Sequence, residues 1–145
     1  MKNIFIAILA ALLCAVVFTG CGASMKDGTY KAEYSDFDSH GWKDYVEINI
    51  AGGKITGVDY DSVNTDGVIK SQDAEYKAAM EGVSGTYPEK FMSELENMLI
   101  KQQDPKMVDT IAGASDSSGS FKKLVSEAIS KGAKKGNLDV VIVTK

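Results

Sequence analysis

The sequence predicts an α+β domain: an antiparallel sheet with a hairpin and a C-terminal strand, packed by about three helices. Three observations carry this. Apolar residues alternate with polar ones in the first half of the chain, the signature of half-buried strands. The second half holds three stretches with helical spacing of apolar residues. A short β-branched run, Val140-Val141-Ile142-Val143, closes the chain and reads as a buried strand. Strands followed by helices and a final strand point to segregated α and β elements.

The elements follow in order. Tyr30, Ala32 and Tyr34 alternate with polar residues and predict a first strand. Residues 35–44 (SDFDSHGWKD) are polar and turn-rich and read as a loop carrying Phe37, His40 and Trp42. Val46, Ile48 and Ile50 alternate again. Ala51-Gly52-Gly53-Lys54 supplies a turn, and residues 55–60 (ITGVDY) return as the second arm of a hairpin. Residues 61–70 read as a loop turning at Asn64-Thr65-Asp66-Gly67. Ser71 is placed to cap a helix whose face is Tyr76, Ala79, Met80 and Val83, with Gly82 and Ser84-Gly85 marking its end. Pro88 suits the first position of a second helix, with a stripe of Phe91, Met92, Leu95, Met98 and Leu99 stopped by Asp104-Pro105. Residues 115–120 (SDSSGS) read as a polar turn and cap. Phe121, Leu124, Val125, Ala128 and Ile129 then form the stripe of a third helix, ended by Gly132 and Gly136.

The first twenty residues are an address rather than fold. Lys2 is followed by 15 residues, Ile4 to Phe18, with no charge or polar group except Cys14. That is short for a membrane-spanning helix and suits the apolar region of a signal peptide. Phe18-Thr19-Gly20-Cys21 resembles a bacterial lipobox, which implies cleavage before Cys21 and lipid on its sulfur. Residues 1–20 are thus expected to be signal peptide, 21–27 a lipidated cysteine and short tether, and 28–145 the folded domain. The expected location is the extracytoplasmic face of the cell membrane.

Composition narrows the chemistry. The chain has 145 residues, two Cys, one His and a net charge of −4. With Cys14 in the signal and Cys21 carrying lipid, neither a disulfide framework nor a Cys-based zinc site is expected. The negative charge argues against a nucleic-acid partner. All 16 basic residues are Lys, so no Arg fork is available to grip a phosphate. No acid–base pair, nucleophile triad or metal cluster stands out.

One stretch remains, Asp109-Thr110-Ile111-Ala112-Gly113-Ala114-Ser115-Asp116-Ser117-Ser118. A Gly-Ala pair permits close backbone approach, and hydroxyls lead into the most amphipathic helix. Free N–H groups and the helix dipole at such a place attract a phosphate. A Ser-rich cap on a solvated turn fits the same residues equally simply.

These residues resemble the flavinylation motif of FMN-binding domains, found in subunits of the NQR and RNF ion pumps and in small extracytoplasmic lipoproteins. Asp109 matches the motif's leading Asp, Gly113 and Ala114 its close-approach pair, and Ser115 its first hydroxyl. Ser117 matches the position that is esterified to the FMN phosphate by a separate flavin transferase. Ala112 stands where Ser or Thr is common, Asp116 puts a negative charge beside the expected phosphate, and Ser117 replaces the commoner Thr. Ser118 is a substitute acceptor. The segment DGTYKAEY at 27–34, the hairpin, the turn at 64–67 and Gly85-Thr86-Tyr87-Pro88-Glu89-Lys90 extend the likeness over roughly residues 27–136.

The resemblance implies an electron carrier rather than an enzyme with its own substrate. It also implies partners: the bilayer, a flavin transferase, and a quinone-linked dehydrogenase or other redox protein. Trp42 and His40 are candidates to border the flavin ring, although a core-edge Trp and a surface His fit those residues as well. Thr65 and Gly67, in the loop after the hairpin, are further candidates, as are Gly85, Thr86, Tyr34, Tyr60 and Tyr87. The alternatives are a lipoprotein of this fold that binds flavin or another ligand without a bond, and a flavin-free surface lipoprotein.

Overall fold

The structure, a computed structural model, describes residues 24–145. The expected signal peptide and Cys21 lie outside them. Strands β1 (Gly28–Tyr34), β2 (Trp42–Ala51) and β3 (Lys54–Asn64) precede helices α1 (Ala74–Ser84), α2 (Pro88–Gln102) and α3 (Ser115–Glu127). A wider π-helical turn, Ala128–Ala133, and strand β4 (Val141–Val143) complete the chain.

The α+β expectation holds, and the sheet order is β3-β2-β1-β4. β1, β2 and β3 pair antiparallel, whereas β4 pairs parallel to β1, with Ala32 opposite Val141. The sheet is thus mostly antiparallel, as expected, with one parallel pair at the C-terminal strand. A short apolar run announces a strand but not its partner or direction, which depend on where the intervening helices return it.

Alternation places one face of the sheet inward. Tyr30, Ala32, Val46, Ile48, Ile55 and Tyr60 are buried against Phe91, Leu95 and Leu99 of α2 and Phe121, Leu124 and Val125 of α3. The other face carries Lys31, Glu33 and Lys43, in which both lysines pair with Glu33 at 3.1 Å. β3 lies at the sheet edge, where unpaired backbone invites association. Side chains of α2 and its end meet that need. Glu96 accepts the Tyr60 N–H at 2.8 Å, and Gln103 bonds both the N–H and the carbonyl of Ile55 at 2.8 Å.

Several boundaries differ from the sequence expectation. β2 begins at Trp42, so this residue is a buried strand residue rather than part of a polar loop. β3 runs on to Asn64, four residues beyond Tyr60. α1 is capped by Asp73, whose carboxylate accepts the Tyr76 N–H, and not by Ser71, which sits in a 3₁₀ turn. α3 starts at Ser115, so the polar run 115–120 is its first turns rather than a loop before it. Met25–Asp27, expected in the tether, joins the domain: the Lys26 N–H donates to the Ala133 carbonyl at 2.9 Å, and Met25 packs against the core.

Candidate functional site

α3 begins without a side-chain cap, because its flanking residue is Ala114. The first N–H groups of a helix have no partner inside it, and only at Ser118, which donates to the Ala114 carbonyl, does the ladder start. The N–H groups of Ser115, Asp116 and Ser117 are therefore turned outward at the positive end of the helix dipole. Gly113 makes this entry possible. Its φ is +82°, and a Cβ there would lie 2.7 Å from the Ser84 carbonyl oxygen and 3.2 Å from Thr86 Cγ2. The motif glycine thus lies against the α1–α2 connection, which brings Ser84, Gly85 and Thr86 next to the α3 entry.

A cavity of about 860 Å³ opens at this helix end. That lies within the range of small-molecule sites, about 300–1,000 Å³. Its walls are Gly113 and Ala114 with the first turns of α3 (Ser115 to Ser117, Gly119 and Ser120), the β1–β2 loop at Asp38–His40, and Tyr76 and Met80 of α1. Lys70, Lys123 and Lys145 bring positive charge, and Asp38, Asp44 and Asp116 bring negative charge. The Asp38 carboxylate pins its loop by accepting the N–H groups of His40 and Trp42 at 2.8 and 2.9 Å. Burial works to raise its pKa, but these two bonds together with the charges of Lys145 and Lys70 outweigh burial and hold it below the usual carboxylate range.

Beneath the cavity lies a buried polar cluster. The Tyr60 hydroxyl is 2.9 Å from the Ser117 carbonyl and 3.2 Å from Asp44 Oδ2, and the Ser62 hydroxyl donates to Asp44 Oδ1. Burial, reinforced by the Asp44 carboxylate, pushes the Tyr60 phenol well above its ordinary pKa, so it stays a donor. Tyr60 thereby braces the turn that carries Ser117 against the sheet.

The expected site residues separate clearly. Gly113, Ala114, Ser115 and Ser117 line the cavity together with Asp116 and His40, and Ser117 is half-buried there. Ser118 lies fully buried instead. Its hydroxyl donates to the Ala114 carbonyl at 2.8 Å and accepts the Ile111 N–H at 3.1 Å, so it is committed to the fold. Trp42 stands behind the wall, edge-on to Tyr76 with ring centroids 5.5 Å apart. Thr65 and Gly67 occupy an exposed turn organised by Asn64, and exposed Asp109 precedes the motif; none of the three lines the cavity. Of the tyrosines, Tyr34 lines the cavity, Tyr60 lies under it, and Tyr87 carries the Lys77 ammonium over its ring. Thr86 is buried and its hydroxyl has no partner.

Sequence reasoning missed Lys70, which is 7% exposed and lines the cavity. Its Nζ lies 4.7 Å from the Tyr76 ring centroid and 5.3 Å from that of Trp42. A lysine between a loop and a helix cap reads as solvated, and nothing local signals otherwise.

Among the described residues no cluster of three or more His, Cys, Asp or Glu could hold a metal, and no helix is long and apolar enough to cross a membrane. The arrangement suits a phosphate-bearing heteroaromatic ligand: an uncapped helix N-terminus for the phosphate, a buried lysine, and an aromatic and thioether wall.

Comparison with known proteins gives the same answer. The FMN-binding domain family matches residues 41–130. The 15 kDa lipoprotein of Treponema pallidum (strain Nichols) is 42% identical over 133 residues, covering 91% of this chain and 94% of that protein. The crystal structure of the CPE2226 protein from Clostridium perfringens superposes with a TM-score of 0.80 at 36% identity, covering 83% of this chain and 98% of that one. A solution structure of a Clostridium thermocellum protein matches with a TM-score of 0.52 at 33% identity, over 74% and 92% of the two chains. The site geometry and these similarities agree: the chain belongs to the FMN-binding domain family, and FMN is its cofactor.

Proposed function

We propose that this chain is a lipid-anchored extracytoplasmic flavoprotein that carries electrons, with its FMN joined through the phosphate to the Ser117 hydroxyl. The observation that carries the reading is the position of Ser117, half-buried on the cavity in the uncapped first turn of α3. The N–H groups of that turn hold the phosphate, and Lys123, six residues further along α3 and lining the same cavity, adds charge. Tyr60 fixes the Ser117 carbonyl, so the hydroxyl is presented from a braced turn. Attachment forms an Oγ–P bond as a P–O bond to a leaving group breaks, and the serine proton is lost. It therefore needs a donor with an activated phosphoryl group, such as a flavin dinucleotide, and a flavin transferase as partner. Bound FMN supplies one- or two-electron chemistry.

Cys21 supplies the anchor, supported by the lipobox-like Phe18-Thr19-Gly20-Cys21 and by a relative named a lipoprotein. Among the described residues the first to pack against the core is Met25, four residues after Cys21, a short tether that keeps the flavin close to the bilayer and to a quinone-linked dehydrogenase in it.

The test is co-production with a flavin transferase in an export-competent host, followed by denaturation. Flavin fluorescence is expected to stay with the wild-type chain and to vanish from Ser117→Ala. Mass spectrometry of the motif peptide is expected to place one FMN phosphate on Ser117. A second reading, non-covalent binding, is favoured by Asp116, which lines the cavity and repels a phosphate. Flavin that leaves the denatured wild-type chain, with Ser117→Ala retaining native flavin content, selects that reading instead.

A further inference from the structure

Lys70 is 7% exposed as a residue, and it lines the cavity beside Ser117. Among the described residues no carboxylate lies within ion-pair distance of its Nζ, and no hydrogen bond is made by it. Its close neighbours are the rings of Tyr76 and Trp42, and the Asp38 carboxylate on the facing loop feels its charge without pairing with it. The ammonium therefore stands on the cavity with no direct anionic partner.

A negative group on the ligand would complete it, and two are available: the phosphate, and the flavin ring once reduced. The phosphate has its own place at the α3 N-terminus, where Ser117 and Lys123 sit on one helix. Lys70 belongs to a different wall, shared with Tyr76 and Met80 and backed by Trp42. A flat heteroaromatic ring fits that wall better than a phosphate does. Two electrons and one proton, delivered by an external reductant, leave a neutral flavin ring with one negative charge. An ammonium nearby stabilises that charge and not the oxidised ring.

We propose that Lys70 faces the flavin ring and raises its reduction potential, with Trp42 and Tyr76 holding the ammonium in place. This rests on the reading that FMN occupies this cavity with its phosphate at α3. Lys70 is a residue that touches the cofactor, and its effect is on the equilibrium, not on attachment.

The experiment is spectroelectrochemical titration of the flavin-loaded protein and of Lys70→Met, Lys70→Gln, Lys70→Arg and Lys145→Met. The Lys70→Met and Lys70→Gln variants are expected to disfavour reduction about tenfold, which is ~30 mV lower for a two-electron couple. Lys70→Arg, which keeps the charge, is expected to stay within about twofold of wild type, as is Lys145→Met. Flavin content is expected to be unchanged in all Lys70 variants. An unchanged potential in whichever neutral Lys70 variant folds overturns the inference. So does an equal shift in Lys145→Met, or loss of flavin from the Lys70 variants, which would assign the lysine to the phosphate. A wild-type chain that binds no flavin removes the underlying reading and this inference with it, so the two failures are told apart.

Discussion

Gly113 shows how much one residue decides. Its positive φ is costly for any side chain, and a Cβ would enter the Ser84 carbonyl. Gly113→Ala is expected to destabilise the domain by on the order of 2 kcal/mol, read as a lower urea midpoint. An unchanged midpoint would mean that the α1–α2 connection yields. Tyr60→Phe removes the hydroxyl between Asp44 and the Ser117 carbonyl. The expected loss is about 1–2 kcal/mol, together with slower flavin attachment at Ser117 by the transferase. Full-rate attachment would show that Ser117 needs no brace. Residues of this kind differ in how legible they are. Gly113 and Ser117 were found because the motif lies in one unbroken stretch. Lys70 was not, because its burial comes from Trp42 and Tyr76, which lie 28 and 6 residues away in the sequence.

Among the elements, α1 departs most from expectation. Its stripe of Tyr76, Ala79, Met80 and Val83 predicts a core-facing helix, yet no residue of α1 is buried and Val83 is 90% exposed. Tyr76 and Met80 line the cavity, and Met80 also packs against the edge of the core. Periodicity identifies an apolar face but not whether a core or a ligand will cover it. With so little burial, α1 is expected to exchange its amide hydrogens faster than α2 and α3, and to slow when flavin is bound. Equal protection of all three helices would contradict this. Gly82 has open space around its Cβ position and lies inside α1. Gly82→Ala is expected to stabilise that helix by about 1 kcal/mol and slow its exchange roughly fivefold. The starts of α3 and α1 were misplaced for a different reason. Ser and Asp favour both turns and first helical turns, and only the backbone N–H groups they meet decide which.

At the scale of the whole molecule, the acidic outer edge around β3 and α2 governs pH dependence. Burial raises the Glu96 pKa, and Asp59 and Asp61 add to this against the Tyr60 N–H bond. Burial and Asp61 likewise raise Asp59. A carboxyl with a raised folded pKa stabilises the fold below its unfolded value, and that contribution is lost as pH rises through the folded value. Glu96→Gln keeps an acceptor for the Tyr60 N–H and cannot ionise. It is expected to be more stable than wild type near pH 7.5, with the advantage shrinking as pH falls toward 4. Urea midpoints across that range check it, and a pH-independent difference would refute the assignment. Nearby, Tyr45 is pushed up to about 12 by burial and by Asp59 and Asp61, so it does not titrate in this window.

Local pattern alone was enough for the strand and helix inventory, the hairpin, the α+β class and the serine-bearing motif. Each of these depends on residues within a few positions of one another, where alternation, helical spacing and turn chemistry act directly. Packing alone decided that β4 runs parallel beside β1, that Ser118 serves the fold while Ser117 faces the cavity, and that α1 lines that cavity. It also decided that Lys70 is buried. These depend on contacts between residues far apart in the chain, and the free energy of burying or leaving a group unpaired exists only once those residues have met.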